Sequence, residues 1–334
     1  MFGYFRILSS GVFHPEKIIS SSEIDQLYNL PDGTTNKVHK VIKRHWASEK
    51  ETTLFMAKKA IDMALHDAKI EMQDIDCIIN AGCLVPQIIP STASMLLSEY
   101  QTTGIDCFDI DCTCISFLKA LEIAVYMMSS HKYRRVLIFT SELASYGINF
   151  QSSEITSIFG DGAACFVLEQ SNEWDTNHNV FRLRSSLFRA FPDGGKYSRC
   201  KAGGTLTHPK YHDYNSNSFY FEMNGPQLYK IAYKHMPKLF IDLIESAGIK
   251  GEEVDYLVPH QASHRAITLL NRVLNLLNAK LIDMFSDYGN QVSVSLPHAL
   301  HILLNTHTIN KNQNIGLLGA AAGVILGGMI IEKC

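Results

Sequence analysis

The sequence predicts a duplicated α/β protein whose related halves span residues 1–170 and 171–334, and three observations predict it. First, "MAKKAIDMALHDAKIEMQDIDCIINAG" and "MPKLFIDLIESAGIKGEEVDYLVPHQ" share the order amphipathic helix, short connection, acidic pair and apolar strand, at an offset of about 179 residues that sets Asp76 on Asp255 and Ile79 on Val258. Second, the same offset returns further along: "SFLKALEIA" from Ser116 lands on "SLPHALHIL" from Ser295, and "RVLIFTSE" lands on "NIGLLGAA". Third, the strand-like runs are apolar throughout and alternate with helical periods, which predicts parallel sheets covered by helices on both faces.

Taken in order, each half offers a helix, a buried strand, a short strand ending in a bend, a second helix and a final buried strand. "CFDID" alternates like a strand, "CTC" is the bend, and "ISFLKALEIAVYMM" places Phe117, Leu118, Leu121, Ala124, Val125 and Met128 at helical spacing. The stretch from Gln170 to Tyr220 is richer in Asn, Ser, Gly and Arg and reads as loops and short strands covering a site. Ile315 to Ile331 is uncharged and near the lower length limit for a membrane span, but its dense, irregular glycines suit a buried strand-turn-strand.

A chain of 334 residues, 46% hydrophobic, can bury one large core or two linked ones. A formal charge of −3 lacks the basic excess of a phosphate-backbone binder, so no nucleic-acid partner is expected. Eight scattered cysteines behind an opening without the pattern of a secretory leader predict a reduced, cytoplasmic setting without disulfides.

Cys112 and Cys114 pose the chemical question, since a Cys-x-Cys pair suits a metal clip, a redox couple or a single nucleophile. A metal site needs further ligands, and His260 with His264 has the i, i+4 spacing of a zinc helix. That motif lacks a glutamate, and Pro259 sets His260 at a strand end, off the helix, so no metal is predicted. Cys114 is expected to cap the following helix, where unpaired N–H groups and the positive dipole end favour a thiolate. Cys77, Cys83, Cys107 and Cys165 lie in apolar runs and read as core residues. His260 opens a helix from a strand end, and Asn290 follows Gly289 just before another helix. Taken alone each could be structural; together they make a nucleophile with two hydrogen-bond donors across the seam between the halves. Asp161 in "FGDGAACFVLE" reads as a turn and hydrogen-bond anchor.

With "DCTCISF", "FGDGAACFVLE", "FEMNGPQLYK", "LVPHQASHRAI" and "YGNQVSVSLPHAL" in this order, the chain resembles the β-ketoacyl-acyl-carrier-protein synthase III family of the thiolase fold over essentially its whole length. The resemblance implies a thiolase-like, five-layer α/β/α/β/α sandwich. It implies that Cys114 accepts an acyl group, that His260 and Asn290 bind the carbonyl of a malonyl thioester, and that the backbone N–H of Gly323 joins that of Cys114 in an oxyanion hole. It sets Lys230 and Arg265 at the entrance for the carrier protein or coenzyme A. It further implies a homodimer acting on acyl thioesters and acyl carrier protein, with no cofactor beyond the phosphopantetheine or coenzyme A that carries substrate. Asp111, Cys112 and Ser116 depart from the family pattern, as does the tryptophan-containing segment near the N-terminus, which indicates a specialised member. Its alternatives are a resorcinol-type ketosynthase/cyclase, a non-condensing acyl transferase and an inactive partner subunit.

Overall fold

The computed structural model describes residues 3–175, 179–213, 215–274, 276 and 278–334. Its first half runs β1 (Tyr4–Phe13), α1 (Thr53–Ala68), β2 (Cys77–Asn80), α2 (Thr92–Tyr100), β3 (Asp106–Asp109), α3 (Ser116–Ser129), β4 (Arg135–Glu142) and β5 (Gly162–Gln170). The second repeats that order with β6 (Val180–Ala190), α4 (Gly225–Ala247), β7 (Val254–Pro259), α5 (His264–Val273), β8 (Lys280–Leu281), α6 (Ser295–Thr306), β9 (Asn314–Ala321) and β10 (Ile325–Lys333).

The strands follow the order β8-β7-β9-β10-β6-β1-β5-β4-β2-β3, so each half contributes five strands in the same arrangement. The halves join where Tyr4, Phe5 and Arg6 pair with Arg182, Phe181 and Val180. Neighbouring residues on one strand feed different cores. Ile79, Ile138 and Phe166 pack toward α3 and α6 together with Val258, Leu317 and Met329 of the second half. Ile78, Leu137 and Cys165 instead pack under α1 and α2, and Leu257, Leu318 and Leu326 under α4. Strands buried on both faces must be apolar throughout, as these are. The result is five layers, with α3 and α6 as the shared middle one.

Two expectations are corrected. The sheet is mixed: β2 is parallel to β3 and β4, but β4 meets β5 antiparallel, and β9 meets β10 antiparallel. A parallel return needs a crossover long enough to span the sheet, and only Ala322 to Val324 separate β9 from β10. Residues 180–190 are also no loop but the eleven-residue strand β6, paired along β10. Its arginines disguise it in the sequence, yet Arg184 is satisfied by Glu332 at 3.0 Å and by the Ala247 carbonyl at 2.6 Å. The apolar run from Ile315 to Ile331 forms most of the β9–β10 hairpin, and among the described residues no helix is long and apolar enough to cross a membrane.

Because the middle layer serves both halves, Leu121→Ala, which empties a site 1% exposed there, is expected to cost about 2–5 kcal/mol. The matching change at exposed Met63 should stay within about 0.5 kcal/mol. Urea denaturation of the two variants measures the difference.

Candidate active site

The first half delivers Cys114 through a sprung turn. After β3, Thr113 takes a φ of +48° and residues Thr113–Ile115 make a single 3₁₀ turn. The buried Ser116 hydroxyl holds that turn, accepting from the Cys112 N–H at 2.8 Å and donating to the Thr113 carbonyl at 2.7 Å. The second half builds the same device 179 residues on: Val292 has a φ of +53°, and Ser295 Oγ accepts from the Gln291 N–H at 2.8 Å. Asn290 thereby occupies the place of Asp111, and Ser293 that of Cys114.

The environment of Cys114 corrects the expected electrostatics. Ile115 is the N-cap of α3, so Cys114 lies one residue outside the helix. Burial pushes its thiol up to about 11, against the pull of the Ala322 and Cys114 backbone N–H groups and reinforced by the charges of Glu142 and Asp111. The second N–H at the sulfur is therefore that of Ala322, not Gly323. Gly323, with a φ of +78°, shapes the tight turn just beyond it.

His260 follows the last residue of β7, and its N–H continues the β7–β9 pairing onto the Leu318 carbonyl at 2.8 Å. The ring is buried, and desolvation lowers its pKa to about 4, so it is neutral at pH 7. Among the described residues, buried Nδ1 has no hydrogen-bond partner. A bare acceptor is tolerated there better than an orphaned donor, which favours the tautomer with its proton on Nε2. Gly319 on β9 lets two pieces of the site meet: a Cβ there would lie 2.5 Å from Ile115 Cγ2 and 3.1 Å from His260 Cβ.

Asn290 is held from both sides. Its N–H donates to the Ile158 carbonyl at 2.7 Å, and its own carbonyl accepts from Gly160 N–H at 3.1 Å. Gly289 before it has a φ of +65°, and a side chain there would strike the Ile158 oxygen at 2.3 Å. The Asn290 amide points one way only, because Oδ1 accepts from Val292 N–H at 2.9 Å while Nδ2 donates to the Ala262 carbonyl at 3.3 Å. Ala262 in turn donates its N–H to the His260 carbonyl at 2.9 Å, tying the two residues together. Cys114 packs against the cluster that contains Val292 and Phe159, beside the Asn290 loop.

Glu142, Ser293 and Ala322 escaped the sequence reading. Glu142 is fully buried at the end of β4, where it accepts from the N–H groups of Cys83 and Leu84 at 2.8 and 2.9 Å and from the Ser293 hydroxyl. Burial raises its pKa against those hydrogen bonds. The repeat offset alone would have singled out Ser293. Asp161 is the anchor expected of it, accepting from Ala47 N–H and from the Ser145 N–H and hydroxyl, with burial raising its pKa to about 6. Lys230 stands exposed in the second turn of α4 and Arg265 in the first turn of α5, and neither enters an ion pair among the described residues. Arg265 faces His39, whose pKa is lowered by burial and further by that guanidinium.

Residues 108–186 match the family described as 3-oxoacyl-[acyl-carrier-protein] synthase III, and residues 244–333 match its C-terminal counterpart. The β-ketoacyl-[acyl-carrier-protein] synthase III of Neisseria gonorrhoeae is 29% identical over 330 residues, covering 98% of this chain and 99% of that protein. That of Aquifex aeolicus is 27% identical over 327 residues, with the same coverage. The Aquifex crystal structure superimposes with a TM-score of 0.86 at 26% identity, over 98% of this chain and all of that one. The priming β-ketosynthase of the R1128 polyketide pathway shares the fold with a TM-score of 0.88 at 21% identity, over 99% of this chain and 97% of that one.

A half-buried thiol with its pKa raised to about 11 reacts slowly near neutrality. Alkylation of Cys114 by iodoacetamide, followed by peptide mass, should accelerate about tenfold per pH unit up to about pH 11, where an unperturbed thiol would level off near 9.

Proposed function

The chain belongs to the 3-oxoacyl-[acyl-carrier-protein] synthase III family, and we propose that it joins an acyl thioester to a malonyl-type thioester by decarboxylative Claisen condensation through an acyl-Cys114 intermediate. The observation that carries this reading is the fixed polarity of Asn290. With Oδ1 spent on Val292 and one amide hydrogen on Ala262, what remains for a ligand is a single N–H donor. Beside it stands a neutral imidazole. Two neutral donors suit an oxygen that becomes negative, and they are poorly suited to removing a proton from carbon.

The steps follow from these groups. Cys114 sulfur attacks the acyl thioester, the backbone N–H groups of Cys114 and Ala322 stabilise the tetrahedral oxyanion, and the carbon–sulfur bond to the carrier breaks as the proton given up by Cys114 ends on the departing carrier thiol. The malonyl thioester then loses carbon dioxide, and the electron pair of the broken carbon–carbon bond passes into an enolate. His260 Nε2–H and the free Asn290 N–H stabilise that enolate oxygen. The carbanion attacks the acyl-cysteine carbonyl, and collapse of the second tetrahedral intermediate frees the cysteine and the β-ketoacyl product.

Lys230 and Arg265, exposed and without an ion-pair partner among the described residues, suit the phosphopantetheine phosphate and acidic surface of an acyl carrier protein, or the phosphates of coenzyme A. A homodimer is supported by β3, whose outer edge has no strand partner among the described residues, and by Ile88 and Ile89, which are 72% and 81% exposed in the loop between β2 and α2. Cytoplasmic residence is supported by the cysteines, all of them free.

Intact mass after incubation with a panel of acyl-coenzyme A thioesters should show one acyl adduct, absent in Cys114→Ala. His260→Ala and Asn290→Ala should still acylate. Each should lose about 10²–10³-fold in carbon dioxide release and β-keto product, the loss typical of one oxyanion donor. Equal acylation and condensation losses in both variants would overturn the assignment of these residues to the second half-reaction.

A further inference from the structure

Behind Asn290 lies a cluster of histidines, His298 buried and His14, His45 and His301 half-buried, to which the proposed reaction gives no role. Gln291 is completely buried, and its side chain bridges three groups. Its Nε2 donates to the Asp161 carbonyl at 2.9 Å and lies 3.3 Å from His14 Nδ1, while its Oε1 is 2.8 Å from His298 Nδ1. An amide nitrogen has only donors to give, so His14 Nδ1 must be the bare acceptor and His298 Nδ1 the donor. The His14 ring lies tilted 4.5 Å from His298, 4.6 Å from Tyr288 and 5.3 Å from His45. His301, one turn beyond His298 on α6, bonds the Ser10 hydroxyl at 2.8 Å.

We propose that His14 and His298 are positioning residues that clamp Gln291, and through it the adjacent Asn290, and that acid releases the clamp. The inference rests on the condensation reading given above. A proton on His14 Nδ1 would set N–H against N–H and break the bridge, and its charge would fall among three other imidazoles. The carboxylates near the cluster compensate only in part, Asp67 raising His301 against its burial and Glu51 drawing on the charge of His45, and none opposes the lowering of His14. Asp161 spends its oxygens on Ala47 and Ser145 and Glu51 on Glu16 and Ser48, while Asp67 near His301 and Asp287 beside Tyr288 bond none of the four rings.

Burial and the charges of His45 and His301 together hold His14 near 3, and His298 and His301 are lowered for the same first reason. The sign follows. Above about pH 6.5 the rings are neutral whether clamped or open, and no proton is at stake. As pH falls below that value, an opened ring takes a proton that a clamped one refuses. The open-to-clamped ratio therefore rises about tenfold per pH unit for each ring that charges on opening.

The test separates this step from the titration of Cys114. Enzyme acylated at pH 8 is jumped to values between pH 5 and 8 and mixed with malonyl-coenzyme A, and single-turnover formation of β-keto product is followed. Each rate is normalised to the same protein's value at pH 8. Wild type should lose rate reversibly as pH falls from 6.5 to 5.5, by up to about fivefold for each ring that charges on opening, with its near-ultraviolet circular dichroism largely kept and its rate restored on return to pH 8. His14→Asn offers an acceptor at the place of Nδ1 without a titrating ring and should flatten the fall; His298→Asn, which offers a donor there, should remove only the share of the fall that its own ring carries. Imidazole proton resonances of the wild type should report proton uptake over the range in which the rate falls. Identical acid limbs in wild type and variants, uptake in a separate range, or global unfolding coincident with the loss would overturn the clamp. Acylation at Cys114 with no β-keto product at any pH would instead overturn the condensation reading, and the clamp with it.

Discussion

The buried carboxylate of Glu142 is the constraint on which the site depends. It closes one repeat by receiving the N–H groups of Cys83 and Leu84 and reaches the other through the Ser293 hydroxyl. A carboxylate so enclosed is tolerable only with its hydrogen bonds satisfied, which fixes the second turn against the end of β4. Removing the Ser293 hydroxyl would leave charge or proton without its partner at the seam, and the turn that orients Asn290 would lose its backing.

From that tie the electrostatic character of the site follows. The dry seam disfavours every charged form within it: the thiol of Cys114 is raised, the imidazole of His260 lowered and the carboxyl of Glu142 raised, each first of all by desolvation. A centre of this kind is poor at holding ions in its resting state. It is suited to receiving negative charge that develops on a substrate oxygen, because its donors are already aimed and no water must reorganise.

Much of this was legible in residues. The offset linking Asp76 to Asp255 and Ser116 to Ser295 located both halves, and Cys114, His260 and Asn290 announced themselves by standing at the ends of strand-like runs. The failures have physical causes. Strand β6 hid because arginines that bond carbonyls and carboxylates look, in sequence, like arginines in solvent. Ala322 hid because a backbone N–H leaves no mark on residue type, and the glycine beside it drew the assignment one residue too far. Thr113 and Val292 adopt a positive φ that β-branched residues rarely take, a strain no propensity argument would propose. The antiparallel returns hid because apolar strands read the same in either direction.

The shared turn has a historical meaning. One spring, set by one hydroxyl, presents sulfur in the first copy and in the second a serine committed to a structural bond. Two identical subunits meeting about an axis could never have parted company in this way, since any change would appear on both sides at once. Two copies within one polypeptide are free of that bond of symmetry, so one tip serves as the workpiece holder and the other as the anvil.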